Sequence, residues 1–541
     1  MIHLANITKS IGARVLFQSS SFQINPGNKI GLVGPNGAGK TTIFRVITGE
    51  ESIDSGSVNI PDKLVVAYFS QDVGEMKGRS ALEEVKAGAQ RIYELGRLMA
   101  ELEQKLSDTN LPEDEMMSVV EKYGEVQHEY EERGGYNLDT RAKEILTGLG
   151  VQPIDHDAPV ERFSGGWKMR IALAKVLLLN PDVLLMDEPT NHLDMESILW
   201  LEQWLISFKG SVLMTSHDRE FMNRIVSTVV EVANQKITPY SGNYDFYEKE
   251  REIRKEQLVA AHKRQQDMLA KEEDFIARFA ARASHAAQVQ SRVKKIEKIE
   301  RVELPPEERT IDFEFANPPR SGNEVVKMEN LTKEWVQDEN RVKPVFSGIT
   351  GLIRRLDKIA VVGVNGAGKS TFLKVISGLT DPTSGRVALG SGVKLGYFSQ
   401  HSLEVLKPNR TVLEEVESRV PNPNLGYIRN LLGAFMFSGD DVYKKISILS
   451  GGEKSRVILA TMLANPLNFL ILDEPTNHLD IRSREVLLSA IQKFDGTVVL
   501  VSHDRHFLRA IAHRVFEVGH GQLNVFEGNY DYYLSKVTPK A

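Results

Sequence analysis

The sequence predicts an α/β protein made of two phosphate-loop domains in tandem, with a helical arm inserted in the first and a helical hairpin linker between them. Three observations carry that expectation. The stretch Gly34 to Thr41 (GPNGAGKT) recurs as Gly363 to Ser370 (GVNGAGKS). Each copy follows a short β-rich run, Lys29 to Val33 or Lys358 to Val362, and opens a helical pattern. Each is then followed in the same order by YFSQ, SGG, an apolar run ending in DEPTNHLD, and SHDR. Strand, glycine-rich turn and helix is the context a phosphate loop requires, and two copies in one frame mark an internal repeat.

The spacing of the repeat places the insertion. Lys40 and Lys369 lie 329 positions apart, as do Gln71 and Gln400, whereas Ser164 and Ser450, Glu188 and Glu474, and His217 and His503 lie 286 apart. The first copy therefore holds about 43 extra residues between YFSQ and SGG. The two domains are read as residues 1–242 and 323–541, with the arm near 92–134. There Leu95, Leu98, Met99, Leu102 and Leu106, then Met117, Val120, Tyr123 and Val126, fall at spacings of three and four. Asn110, Leu111 and Pro112 interrupt them, so two helices joined by a turn are expected.

Residues 243–322 form the linker. Between Asn243 and Leu304 there is neither Gly nor Pro, and the helix formers Lys, Glu, Arg, Gln and Ala dominate. One unbroken helix would span about 90 Å and hold the domains apart. A hairpin folding back near Ala280 to Ala287 is therefore expected. From Phe275 to Ile296 the chain carries Arg278, Arg282, Arg292, Lys294 and Lys295 and no Asp or Glu. Such a basic tip, residues 275–296, suits a phosphate backbone, although a charge run is ordinarily a solvated helix face.

Composition narrows the classes. A chain of 541 residues with 41% hydrophobic content can fill ordinary globular cores. The absence of Cys excludes disulfides and thiolate zinc sites, and a cytoplasmic location is expected. Met1 to Ser10 lack the basic flank and apolar core of a leader, and no run approaches the ~18 apolar residues that cross a bilayer, so no membrane partner is expected. A formal net charge of -6 exerts no global pull on nucleic acid, so any such contact must be local.

The motifs carry the chemistry. Gly34, Pro35, Asn36, Gly37, Ala38, Gly39, Lys40, Thr41 and Thr42 form one cradle, and Gly363, Val364, Asn365, Gly366, Ala367, Gly368, Lys369, Ser370 and Thr371 the other. In this pattern the backbone amides curl around phosphate oxygens at a helix N-terminus, whose dipole favours negative charge. Lys40 and Lys369 are expected to reach the β and γ phosphates, and Thr41 and Ser370 to hold Mg2+. Asp187 and Asp473 end apolar strands and suit the magnesium shell, while Glu188 and Glu474 suit orientation or deprotonation of the attacking water. An ordinary Glu, with a pKa of about 4.3, is ionised at neutral pH, so no tuning is expected. His217 and His503 follow the next strands within reach of the γ phosphate, and Gln71 and Gln400 complete the magnesium and water shell. The expected reaction is ATP hydrolysis to ADP and phosphate, with ATP and Mg2+ bound.

Taken with SGG (Ser164, Gly165 and Gly166; Ser450, Gly451 and Gly452), these residues resemble the ATP-binding cassette ATPases over most of both domains. The resemblance implies that Ser450, Gly451 and Gly452 close over the ATP on Lys40, and Ser164, Gly165 and Gly166 over that on Lys369. Two competent composite sites in one monomeric chain follow. Two departures stand out. The family's base-stacking aromatic falls at Trp335 in the second half but at Ile11 in the first, so either Phe17 substitutes or the first site stacks its base poorly. The residue after SGG is Trp167 in one copy and Glu453 in the other, so the two caps are expected to differ in strength.

Two cassettes in one chain, an arm in the first only and a charged helical linker together look like the ABC-F family. YSGNYDFY at Tyr240 to Tyr247, its echo FEGNYDYY at Phe526 to Tyr533, and QSRVKKIEKIE at Gln290 to Glu300 agree. The resemblance implies a translation factor that sits, ATP-bound and closed, in the tRNA exit site of the ribosome. It points the linker tip toward the peptidyl-transferase centre, close to 23S rRNA and tRNA, and the arm toward the L1 stalk; hydrolysis drives release. An ATPase subunit of a membrane transporter and a DNA-associated cassette ATPase are the alternatives.

Overall fold

The computed structural model describes residues 1–541 except 13, 36, 71–73, 108–111, 133, 192, 280–285, 300, 302–318, 339–340, 400–401, 403–404, 421–423, 438, 478, 480, 520 and 538–541. The first cassette contributes β1 (Ile2–Ile11), β2 (Arg14–Ile24), β3 (Lys29–Val33), β4 (Ser55–Asn59), β5 (Val66–Phe69), β6 (Val183–Asp187), β7 (Ser211–Thr215), β8 (Thr228–Ala233) and β9 (Lys236–Tyr240). The second repeats the set as β10 (Glu324–Asp338), β11 (Arg341–Arg354), β12 (Lys358–Val362), β13 (Ser384–Leu389), β14 (Leu395–Phe398), β15 (Phe469–Asp473), β16 (Thr497–Val501), β17 (Arg514–Gly519) and β18 (Gln522–Phe526).

In each cassette a six-stranded sheet, ordered β5-β6-β7-β3-β8-β9 or β14-β15-β16-β12-β17-β18, is parallel except for its last strand. A three-stranded antiparallel sheet, β2-β1-β4 or β11-β10-β13, accompanies it. Parallel strands covered on both faces read as unbroken apolar runs, and every residue of β6, β7, β15 and β16 is buried. Alternation divides those side chains between two cores. Leu185 joins Phe17, Ile30 and Phe44 on one face, while Leu184 and Met186 join Ile171, Leu201 and Phe221 on the other. Because β6, β7 and β3 are neighbours, the residues after their carboxyl ends, Glu188, Ser216 and Gly34, meet at one edge of the sheet, where open α/β sheets bind ligands.

The arm consists of helices Gln90–Leu106 and Glu113–Glu132. Leu95, Met99, Leu102 and Val126 form its own small core, flanked by Leu98, Val119, Tyr123 and Tyr130. Met117 and Val120 do not join it: they are 72% and 54% exposed. Steps of three turn a helical side chain by about 300°, so a 117/120/123/126 series drifts around the helix, whereas 119/123/126/130 stays on one stripe.

The linker helices are Tyr244–Phe279 and Ala286–Glu297. They pair through Glu272, which holds both Arg292 and Lys295, the latter at 3.1 Å. Arg292 also stacks over Phe275 at 3.9 Å. Of the turn expected near Ala280 to Ala287, residues 280–285, with Arg282, lie outside the described residues, and Ala286 and Ala287 already belong to the second helix. Pairing changes the reading of the basic tip. Arg278 is bound by Asp274 at 2.6 Å, so Arg278, Arg292 and Lys295 are held by acids lying just outside the 275–296 window. Among the described residues Lys294 makes no ion pair and is exposed.

The repeated aromatic motif is the joint between cassette and helix. Asn243 caps the backbone of Phe246 at 3.0 Å, and the Tyr247 hydroxyl donates to Glu231 at 2.8 Å. Asn529 and Tyr533 repeat both bonds at 2.9 Å, to Tyr532 and Glu517. No helix among the described residues is long and apolar enough to cross a membrane.

Candidate active site

The two phosphate loops adopt matching backbones. Gly34, Gly37 and Gly39 have φ of 148, 75 and 101, and Gly363, Gly366 and Gly368 have 144, 83 and 99. At Gly34 a Cβ would lie 2.2 Å from the Val232 carbonyl oxygen, and at Gly363 2.1 Å from that of Val518, so only glycine lets the loop pack down on β8 or β17. Left-handed Gly39 and Gly368 then start the helices Lys40–Thr48 and Lys369–Ile376 with no side-chain cap, leaving first-turn amides for an anion. Lys40 arches over its own loop and donates to the Gly34 carbonyl at 2.7 Å; Lys369 does so to Gly363 at 2.7 Å. Asn36 lies outside the described residues, as do Gln71 and Gln400.

Thr41 donates to Asp187 at 2.8 Å, and Ser370 to Asp473 at 3.2 Å. The next residues, Glu188 and Glu474, sit at positive φ, 51 and 52. Such conformations cost a non-glycine residue about 1–2 kcal/mol, and strain of this kind concentrates at functional sites. Amide bonds hold them there, from Glu188 to the Thr215 hydroxyl at 3.0 Å and from Glu474 to the Val501 carbonyl at 2.9 Å. Each carboxylate faces an imidazole: His217 Nε2 is 3.5 Å from Glu188, and His503 Nε2 is 3.2 Å from Glu474.

The expectation of an untuned glutamate does not hold. Burial, the largest influence, raises both Glu188 and Glu474 to about 7. Burial likewise lowers His503 to about 3 and His217 well below the imidazole value. Each pair is therefore a neutral imidazole beside a carboxyl poised between its two protonation states near neutral pH. A buried group with a pKa near the working pH is suited to exchanging a proton with water.

Ser164 and Ser450 are the N-caps of helices Gly165–Leu178 and Gly451–Leu463. Their helix caps differ at the residue after SGG, Trp167 against Glu453. Ser450 and Glu453 form a capping box, with the serine hydroxyl donating to the carboxylate at 2.8 Å, whereas Ser164 makes no side-chain cap bond. Trp335 is 42% exposed with Lys333 over its ring, and Ile11 is 57% exposed at the matching place. Phe17 does not substitute for the missing aromatic. It is fully buried in the core that β1 and β2 share with the six-stranded sheet, with its neighbour Leu16 buried beside it.

The cassettes touch, and most of the side chains that join them had no role assigned by the motifs. Asp194, the last residue of the first DEPTNHLD, accepts the Asn365 amide of the second phosphate loop at 3.2 Å. Arg170, itself buried, holds Asp194 at 3.2 Å. Arg505 of the second SHDR reaches Glu202 at 2.9 Å, and Arg484 donates to the His217 carbonyl at 3.1 Å. For Asp194 and Arg505 the sequence signal was the length of the DEPTNHLD and SHDR identities; Arg170, Glu202 and Arg484 lie outside both motifs. Their partners lie on another domain, which no local spacing reveals.

A protein-family model described as ABC transporter matches residues 17–191 and 346–477, and a second under the same description matches 230–315. The chain is 37% identical over 539 residues to the Putative ATP-binding protein YdiF of Bacillus subtilis, covering 99% of this chain and 83% of that protein. It is 36% identical over 540 residues to the Probable ATP-binding protein YheS of Escherichia coli K12, covering 99% and 82%. ABC transporter F family member 2 of Arabidopsis thaliana is 36% identical over 539 residues, covering 99% and 79%. Among solved structures, the archaeal ribosome recycling factor aABCE1, in its complex with the archaeal ribosomal stalk protein aP1, has a TM-score of 0.60 at 17% identity, with 98% of this chain and 92% of that one covered. That likeness is one of fold.

Proposed function

The chain belongs to the ABC-F family of tandem ATP-binding cassette proteins, and from that premise we propose that it hydrolyses ATP at two composite sites and binds the ribosome while closed on ATP. Seating in the tRNA exit site, with the linker tip toward 23S rRNA and tRNA and the arm toward the L1 stalk, is the geometry proposed. Hydrolysis ends the closed state and releases the protein, so that translation is modulated by nucleotide.

The residues fit ATP with Mg2+. Buried carboxylate oxygens of Glu188 and Glu474 lack hydrogen-bond partners among the described residues, and the helices after the glycine loops start with no side-chain cap, leaving first-turn amides for phosphate. Bound Mg2+ would neutralise charge on the β and γ oxygens, held by Thr41 with Asp187 and by Ser370 with Asp473. Lys40 and Lys369 exchange their own loop carbonyls for phosphate oxygens. Glu188 and Glu474 accept a proton from water, and His217 and His503, uncharged, donate to the γ phosphate. Ser164 and Ser450, with the glycines after them, close each nucleotide from the opposite cassette.

One observation carries the link from nucleotide to ribosome. The short helix Arg219–Ile225, directly after His217, grips the root of the linker: Arg219 binds Glu248 at 2.7 Å, and Asn223 and Asp245 exchange two bonds of 2.7 and 2.9 Å. A shift of the histidine segment is thereby a shift of the hairpin. A ribosomal partner also accords with aABCE1, a ribosome recycling factor captured in complex with a ribosomal stalk protein. The test is the double variant Glu188→Gln/Glu474→Gln, with phosphate release and ribosome co-sedimentation as readouts. It should lose hydrolysis at least about 100-fold, keep ATP binding and accumulate on ribosomes. Normal turnover, or ATP-loaded protein that ignores ribosomes, would overturn the reading.

A further inference from the structure

From SGG to SHDR each site residue has a counterpart 286 positions away, but position 484 breaks the symmetry: Arg484 in the second cassette corresponds to Ile198, a core residue, in the first. Its neighbour does the same, with Glu485 matched by Leu199. Arg484 lies in the first turn of helix Ile481–Lys493 and is largely buried. Its Nε donates to the Leu479 carbonyl at 3.0 Å, and its Nη1 to Asp504 at 3.2 Å and to the His217 carbonyl at 3.1 Å.

We infer that Arg484 is a positioning residue acting in trans on the first site, fixing the His217 main chain from the opposite cassette so that this site is set only when the two cassettes meet. The inference rests on the hydrolysis reading above, since it assigns a role within that site.

The geometry supports it in three ways. First, two of the three bonds are internal to the second cassette. Asp504 caps helix Arg505–Ile511 through its other oxygen, at 3.0 Å from the Phe507 amide, so the guanidinium is oriented before the first cassette arrives. The bond to the His217 carbonyl is then the one that docking adds. A planar fork of this kind loses little freedom when it takes on another acceptor. Second, Glu485 pairs with Arg219 at 3.3 Å, so adjacent residues of one helix grip the 217–219 segment at both ends. Third, the corresponding segment of the second site is held by other chemistry. Arg505 itself reaches across to Glu202 at 2.9 Å, Glu220 at 3.5 Å and the Met195 sulfur at 3.0 Å. Ile198 and Leu199 offer no polar group that could make the reciprocal grip.

Single-site backgrounds test the assignment. With Glu474→Gln silencing the second site, Arg484→Ile should lower kcat about tenfold or more while KM for ATP moves less than about threefold, and Arg484→Lys should recover only part of the loss. With Glu188→Gln silencing the first site, the same Arg484→Ile change should lower kcat at least about threefold less than in the other background. Hydrogen exchange of the ATP-loaded Glu188→Gln/Glu474→Gln protein supplies a readout that needs no hydrolysis: adding Arg484→Ile should speed exchange in 216–221 clearly more than in 502–507, where Asp504 loses one of its two partners. Equal kinetic losses in both backgrounds, or equal exchange changes in both segments, would make Arg484 general interface glue and overturn the inference. No change in either would also overturn it. Absence of phosphate release from the unsubstituted chain would count against the hydrolysis reading instead, and the exchange data would still decide the role of Arg484.

Discussion

Glu474 and His503 show how burial sets the properties of single side chains. The folded pKa of Glu474, about 7, lies above the carboxyl reference, so its contribution to stability is complete below pH ~4.5 and is lost as pH rises through 7. That of His503, about 3, lies below the imidazole reference, so its contribution is complete above pH ~6.5 and is lost as pH falls toward 3. Between roughly pH 4.5 and 6.5 the folded pair holds one proton on Glu474 and the unfolded pair one on His503, so the two slopes cancel. Glu474→Gln removes one half of this balance. In nucleotide-free protein with chelator present, the variant should lose about 1.4 kcal/mol of stability relative to the parent for each pH unit of acidification across that window. Urea melts at several pH values would show it, and parallel pH profiles for variant and parent would refute it. The glycines offer a second comparison. Gly363→Ala puts a Cβ against the Val518 carbonyl and should destabilise the second cassette by about 2–4 kcal/mol, whereas Gly366→Ala, in open space, should cost about 1 kcal/mol. Thermal melts giving equal losses would contradict the packing argument.

Among the elements, the linker hairpin separates cations that build it from those left over. Arg292 joins Glu272 and the Phe275 ring, so Arg292→Ala removes packing as well as charge. It should loosen the hairpin, seen as faster hydrogen exchange in 286–297. Lys294→Ala touches no partner among the described residues; it should leave exchange unchanged and weaken the proposed RNA contact most at low salt, with a salt dependence shallower by about one phosphate. Unchanged salt dependence in Lys294→Ala would remove that lysine from the proposed contact surface. The Phe275 to Ile296 window contains no acid, yet its charge is partly neutralised, because antiparallel pairing brings Glu272 beside residues 20 and 23 positions away. The arm teaches the same lesson. Apolar spacing located the helices, but the stripe that packs was decided by 3.6-residue periodicity, which excludes Met117 and Val120.

At the scale of the whole molecule, the two cassettes are joined by charge. Arg505 is buried between Glu202 and Glu220, with Arg509 also on Glu220 and Arg224 on Glu202 at 2.9 Å. Truncating one member of a buried network leaves other charges uncompensated, so Arg505→Ala should weaken cassette–cassette association by about 2–4 kcal/mol. Inter-cassette distance measurements during ATP titration should show closure moved to higher nucleotide concentration. An unmoved midpoint would mean that the network is not formed in the closed state.

The sequence by itself determined the doubled α/β architecture, the arm, the linker and the phosphate-loop, acid and histidine sets, because each depends on local order: strand, glycine turn, helix, and an acid at the end of an apolar run. Tertiary structure decided the rest. It placed Phe17 in the core, raised Glu188 and Glu474 by taking them out of water, neutralised part of the basic tip and put Arg484 against His217. Desolvation and long-range pairing depend on which surfaces meet, and residues 267 positions apart meet only once the chain has folded.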